Sequence, residues 1–156
     1  MLSKLNHAND LDRLMEQLRL APEPNRKLVS DVIVLACTRL PLLNRAGRIA
    51  RLGQLIEAGA WSDTALALIE LELPAWKLRR LVCEDGEWFC SLSQQLNLPL
   101  ELDDTVDARH EELALAVLSA FVEALRGTSA SREIASPTVP QIGSALGEVV
   151  CCDNFV

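Results

Sequence analysis

Most of the chain repeats its apolar residues at helical spacing, but one stretch does not. Residues 76–93, WKLRRLVCEDGEWFCSLS, are two runs rich in Leu, Val, Trp, Phe and Cys, parted at Asp85-Gly86. Asp-Gly between apolar runs predicts a tight hairpin, because a primed two-residue turn needs positive φ at both central positions. With a two-residue loop, Glu84 faces Glu87, Cys83 faces Trp88, Val82 faces Phe89 and Leu81 faces Cys90. One face then carries Leu81, Cys83, Trp88, Cys90 and Leu92; the other carries Leu78, Val82 and Phe89. A hairpin with apolar groups on both faces cannot stand alone in water. Helices are therefore expected to cover it.

Helical periodicity supplies them. Asn9-Asp10 caps a helix over about 11–20, with Leu11, Leu14, Met15 and Leu18 on one face and Pro22 and Pro24 ending it. A second over about 26–39 carries Leu28, Val32, Leu35 and Ala36 and stops before Pro41, although the β-branched cluster at 32–35 also fits a short strand. A third, over 43–58, sets Ile49, Leu52, Leu55 and Ile56 against Arg45, Arg48 and Arg51, with Gly59 at its stop. Ser62 is expected to cap a short helix over 63–72 that buries Leu66, Ile69 and Leu73 and closes at Pro74. A long helix over about 104–126 follows the linker that contains Pro99, with Asp104, Asp107, Glu111 and Glu112 near its start and Arg126 at its end, as the helix dipole favours. Gly127 is its expected closing residue, and its middle, LALAVLSAFVEAL (113–125), is apolar around most of the circumference. Such a helix is either central in the fold or partly spent on a partner.

The expected fold is α+β: a mainly helical small domain built around one antiparallel β-hairpin (about 76–93) with a long apolar helix (about 104–126). Residues 1–42 read as an N-terminal helical extension, 43–127 as the core domain and 128–156 as a loose C-terminal tail rich in Ser, Thr, Pro and Gly. The expected core is Trp61, Leu66, Ile69, Trp76, Leu81, Val82, Trp88, Phe89, Leu113, Val117 and Phe121.

Composition narrows the function. A chain of 156 residues, 49% hydrophobic and 24% charged, has the apolar content to fold, which a disordered chain lacks. Its formal charge of −7 argues against a general nucleic-acid binder. The charge is uneven, +3 over residues 1–60 and −10 over the remainder, so the two parts can attract each other within the fold or between copies. Five cysteines without regular spacing, no convincing leader and no uncharged run of membrane-spanning length indicate a cytoplasmic protein with free thiols.

The runs AGAWSDTALALIELELPAWKLRRL (58–81), DGEWFCSLS (85–93) and DDTVDARHEELALAVLSAFVEA (103–124), with a terminal CCDNF, resemble a family of small uncharacterised bacterial proteins. The likeness covers about residues 48–126 and the last six; residues 1–45 contribute nothing to it. That family has no assigned activity, so the resemblance implies a compact bacterial domain and assigns no catalytic residue.

Few residues offer chemistry. Asp104, Asp107, His110 and Glu111 share a face if their segment is helical, and Asp-x-x-His resembles the carboxylate–histidine pairing of helical metal sites. A capped, dipole-matched helix start explains the same residues without a metal. Cys83 and Cys90 are diagonal neighbours across the hairpin, which suits buried thiols better than a disulfide. The pair Cys151-Cys152 does not fit a prenylation signal and reads as packing or a flexible end. The two helices around Gly59 superficially suggest helix-turn-helix, but Asp63, Glu70 and Glu72 would repel a phosphate backbone. Lys77, Arg79 and Arg80 form a compact basic group suited to guarding a sheet edge or receiving an acidic partner. No nucleophile elbow, phosphate loop, dinucleotide fingerprint or zinc set is present, which argues against an enzyme and for no cofactor.

The expectation is a non-catalytic protein acting through protein–protein contact or homodimerisation, with Arg79, Arg80, Leu118, Phe121 and Val122 as partner-binding candidates. The alternative is a small-ligand or metal-binding regulatory domain using Asp107 and His110 with Arg79 or Arg80.

Overall fold

The computed structural model describes residues 2–37, 46–99 and 102–134. Among them are helices α1 (Leu2–Leu20), α2 (Arg26–Ala36), α3 (Ala46–Glu57) and α4 (Trp61–Glu72). Strands β1 (Lys77–Glu84), β2 (Glu87–Ser93) and β3 (Thr105–His110) follow, and helix α5 (Leu113–Ile134) comes last. The fold is α+β and mostly helical, with one antiparallel sheet in the order β1-β2-β3.

The hairpin forms in the expected register. Glu84 pairs with Glu87, Cys83 with Trp88, Val82 with Phe89 and Leu81 with Cys90. Asp85 and Gly86 both have positive φ, 54° and 85°, as a primed two-residue turn requires. Beyond Leu81 a bulge lies between Leu78 and Arg80, so Arg80 faces Ser91 while Leu78 faces Leu92. The extra residue, Arg79, is thereby turned out of the ladder.

Residues 105–110 depart from the sequence reading. They form β3, not the start of a helix, with Val106 opposite Leu92, Ala108 opposite Cys90 and His110 opposite Trp88. Val106 and Ala108 alternate with Asp107 and Arg109, a period of two that fits a strand one face of which is buried. The expected long apolar helix over 104–126 is therefore not found as such. Helix α5 starts at Leu113 and runs through Gly127 to Ile134. Thr128 Oγ1 donates to the Ala124 carbonyl at 2.8 Å, and Arg126 reaches Asp12 of α1 at 2.6 Å and Glu123 at 2.8 Å. These contacts hold the helix across a residue that would otherwise favour an ending.

Helix α4 likewise starts earlier than expected. Gly59, at φ 68°, turns the chain, Ala60 is the N-cap, and the Ala60 carbonyl accepts from Thr64 Oγ1 at 2.8 Å. Ser62 is inside the helix and caps nothing. Helix α2 is a helix throughout 26–36, capped by Asn25, whose Oδ1 accepts from the Leu28 amide at 2.9 Å. The expected helix positions at 38–45, the tail beyond 134 and the Cys151-Cys152 pair lie outside the described residues.

One cluster forms the core. Leu11, Leu14 and Leu18 of α1, Val29 and Val32 of α2, Leu68 of α4, Cys90 and Leu92 of β2, and Leu115, Leu118, Phe121 and Val122 of α5 all belong to it. The expected N-terminal extension thus shares its buried face with the expected core domain. Helix α5 lies between α1, α4 and the inner face of the sheet. Of the expected core residues, Val82 and Phe89 fall outside the cluster, because helices cover one face of the sheet and these two point to the other.

Replacement of Phe121, which is fully buried, tests this account. Phe121→Ala is expected to lower the free energy of unfolding by about 3–5 kcal/mol, read as a fall in the denaturant midpoint.

Candidate functional site: the open face of the sheet

Opposed residues of an antiparallel pair point to the same side, so the register assigns each side chain to a face. The inner face carries Leu81, Cys83, Trp88, Cys90, Leu92, Val106, Ala108 and His110. The outer face carries Arg80, Val82 and Glu84 on β1, Glu87, Phe89 and Ser91 on β2, and Asp107 and Arg109 on β3.

At the centre of that outer face is Phe89. Its ring lies between two guanidinium groups, with Arg80 Cζ 5.6 Å and Arg109 Cζ 4.8 Å from the ring centre. Each cation over an aromatic face contributes roughly 0.5–1 kcal/mol at an exposed site. Arg80 also donates to Glu84 Oε1 at 2.9 Å. The pairs hold an apolar ring, flanked by charge, where water reaches it. With Lys77, the acidic and basic side chains of this face are balanced: Lys77, Arg80 and Arg109 against Glu84, Glu87 and Asp107.

The other end of the outer face is closed by the loop between β2 and β3. Arg79, pushed from the ladder by the bulge, donates to Asp103 Oδ2 at 2.5 Å and to the Leu98 carbonyl at 2.9 Å. Ser93 Oγ donates to the same Asp103 oxygen at 2.6 Å and accepts from the Gln95 amide at 2.9 Å. The Asp103 side chain is 1% exposed and that of Arg79 16%. A buried pair of this kind is costly to break on one side, because the remaining charge is left without its partner.

The structure distributes the residues singled out from the sequence. Leu118, Phe121 and Val122 are fully buried in the core. They offer no surface to a partner, because α1, α4 and the sheet together surround α5. Arg79 is spent on the loop clamp, whereas Arg80 stands on the open face. Asp107 and His110, three apart in a strand, point to opposite faces, which separates the pair that a helix would have brought together. His110 Nδ1 accepts the Glu112 amide at 2.9 Å, ordering the turn from β3 into α5. Asp104 and Glu111 are exposed on either side of β3. Among the described residues no group of three or more His, Cys, Asp or Glu is arranged to hold a metal, and none of their helices is long and apolar enough to cross a membrane. A groove of about 230 Å³ lined by Asp10, Arg13, Leu14, Gln17, Asp31 and Leu35 lies between α1 and α2.

A helical reading of the segment around 104–110 conceals the roles of Arg109 and Asp103, which depend on β3 and its preceding loop. The outward aim of Phe89 was contained in the hairpin register. What the register could not show was which face the helices would cover.

Cys83 and Cys90 are both free thiols, the first exposed and the second buried. Burial pushes the Cys90 thiol from its ordinary value of 9.0 up to about 12, with the charge of Asp107 adding to the effect. Cys37 is raised further still, by burial and then by Glu72. No protein-family model, curated protein or solved structure matches the chain.

Three outcomes are expected here. Asp103→Ala leaves the Arg79 guanidinium without its carboxylate and should cost on the order of 3 kcal/mol of stability, measured by chemical denaturation. The Cys90 shift has a sign: below pH 9.0 the thiol is protonated in both the folded and the unfolded chain, so its contribution is present in full. As pH rises toward about 12 the unfolded chain releases that proton while the folded one retains it, and stability falls. The same burial should leave Cys37 and Cys90 unlabelled by iodoacetamide at pH 8 while Cys83 reacts, as peptide mass spectrometry would record.

Proposed function

We propose that this is a non-catalytic cytoplasmic protein that acts by contact with another polypeptide through its open sheet. The observation that carries the reading is Phe89, held outside the core between Arg80 and Arg109 on a face that none of the described helices covers. An aromatic ring beside guanidinium groups is the combination in which interface energy concentrates, since the ring buries a large area with few rotamers to lose and the guanidinium adds planar hydrogen-bond donors. Acidic groups on the same face, Glu84, Glu87 and Asp107, disfavour a nucleic acid there, because they would repel its phosphates. A polypeptide, with its own mixture of charges, fits this face better.

Strand geometry weakens the alternative of a ligand or metal held by Asp107 and His110. Those side chains leave the sheet on opposite sides, and one nitrogen of the imidazole is already engaged by the backbone.

Affinity capture with the immobilised full chain tests the reading. Wild type is expected to retain a protein partner that Phe89→Asp loses, while the variant stays folded, its thermal midpoint lowered only by the loss of the two cation–π pairs, because Phe89 lies outside the core. Retention unchanged by Phe89→Asp, or no retained protein, would remove the open face as the contact surface.

A further inference from the structure

Strand β1 is an edge of the sheet: among the described residues it pairs with β2 alone. The two ends of this edge differ. Lys77 and the bulge at Arg79 guard the beginning, as edges are commonly guarded against pairing. Past the bulge, residues 80–84 run in regular register to the turn.

Hydrogen-bond phase determines which backbone groups of that regular part are free. Glu84 and Glu87 close a two-residue loop, and the closing pair of such a loop exchanges both of its hydrogen bonds. Bonded and non-bonded pairs alternate along an antiparallel ladder, so Val82–Phe89 is the next bonded pair. The N–H and C=O groups of Leu81 and Cys83 therefore point away from β2, toward the open edge.

We infer that a second copy of this chain pairs antiparallel with β1 about a twofold axis at Val82, joining the two sheets into one. In that register Leu81 of one copy exchanges both backbone hydrogen bonds with Cys83 of the other, and the reverse pair does the same. Val82 meets Val82 as the non-bonded pair between them, on the outer face. Arg80 faces Glu84 of the second copy, and Glu84 faces its Arg80. Every opposed pair keeps its face: Arg80, Val82 and Glu84 are outer, Leu81 and Cys83 inner. The guanidinium and carboxylate that now meet within one chain at 2.9 Å thus have equivalent partners across the axis. The apolar pair Val82–Phe89 of each copy continues into that of the other across the outer face.

Neighbouring registers lack this complementarity. A shift of one pair toward the turn sets Val82 against Glu84, and a shift the other way sets Arg80 against Val82 and runs into the bulge. Charge and hydrogen-bond phase agree only at Val82. This inference rests on the polypeptide-contact reading above and names the occupant of its edge.

Light scattering after gel filtration, on the full chain over a range of concentrations, reads the outcome. Wild type should approach twice 17.2 kDa as concentration rises. Arg80→Glu alone places two carboxylates opposite each other twice, and Glu84→Arg alone does so with two cations. Each should weaken association by roughly tenfold or more, because like charges directly opposite oppose pairing. Mixing the two single variants restores opposite charges at both positions and should restore the dimer as a heterodimer, which a defect of folding in either chain would not do. Cys83→Pro, which removes an edge-facing N–H without touching the ladder to β2, should also leave a monomer.

A dimer indifferent to both charge reversals, or a mixture that stays monomeric while each single variant is folded by circular dichroism, overturns this register. A wild type that stays at 17.2 kDa at every concentration overturns the second copy as partner. In that case capture of another protein that depends on Phe89 would leave the polypeptide-contact reading standing, and failure of both would end it.

Discussion

Helix α5 is buried without interruption from Ala114 to Val122 and again at Ala124, and the other elements take their places from it. A helix that is apolar around its circumference must be covered on every side. Here α1 covers one flank, α4 another, and β2 and β3 the third. The N-terminal helices are consequently part of the same core as the sheet, and Leu14, Leu18 and Leu68 are as deeply buried as Phe121. Arg126 ties the arrangement at its rim by bonding Asp12 of α1 and Glu123 of its own helix.

That use of the helices has a consequence for the sheet. Apolar cover is spent around α5, so among the described residues the helices cover the sheet on its inner face, and Val82 and Phe89 are left on the other. Such a one-faced antiparallel sheet normally presents polar residues to water. This one presents an aromatic ring, with Arg80 and Arg109 stacked against it. The guanidinium groups lower the cost of leaving Phe89 in water and keep its ring in place. A ring so held is ready to bury area against a partner without further ordering.

The Arg79–Asp103 clamp gives this surface its boundary. A bulge frees Arg79 from the ladder, and the buried carboxylate of Asp103 receives both its guanidinium and the Ser93 hydroxyl. The loop after β2 is thereby held over one end of the outer face. Among the described residues no helix or loop covers the turn end, with Arg80, Phe89, Glu84 and Arg109. The proposed contact surface and the clamp thus lie at opposite ends of the same three strands.

How much of this was legible in the sequence depended on the range of the deciding interaction. Local stereochemistry was sufficient for the hairpin: Asp85-Gly86 admits positive φ, a two-residue loop follows, and all four cross-strand pairs near the turn are then determined. Helical periodicity likewise located the buried leucines of α1 and the apolar centre of α5. Residues 105–110 were not decidable locally, because their acidic and apolar residues fit a dipole-matched helix start as well as an alternating strand. The free edge of β2 decided the matter by supplying hydrogen bonds along the whole of β3. With that choice Asp107 and His110 parted to opposite faces, Arg109 came to Phe89, and Asp103 came to Arg79. Which hairpin face would be covered was also a tertiary outcome: the sequence made both faces apolar, and the position of α5 left Phe89 outside.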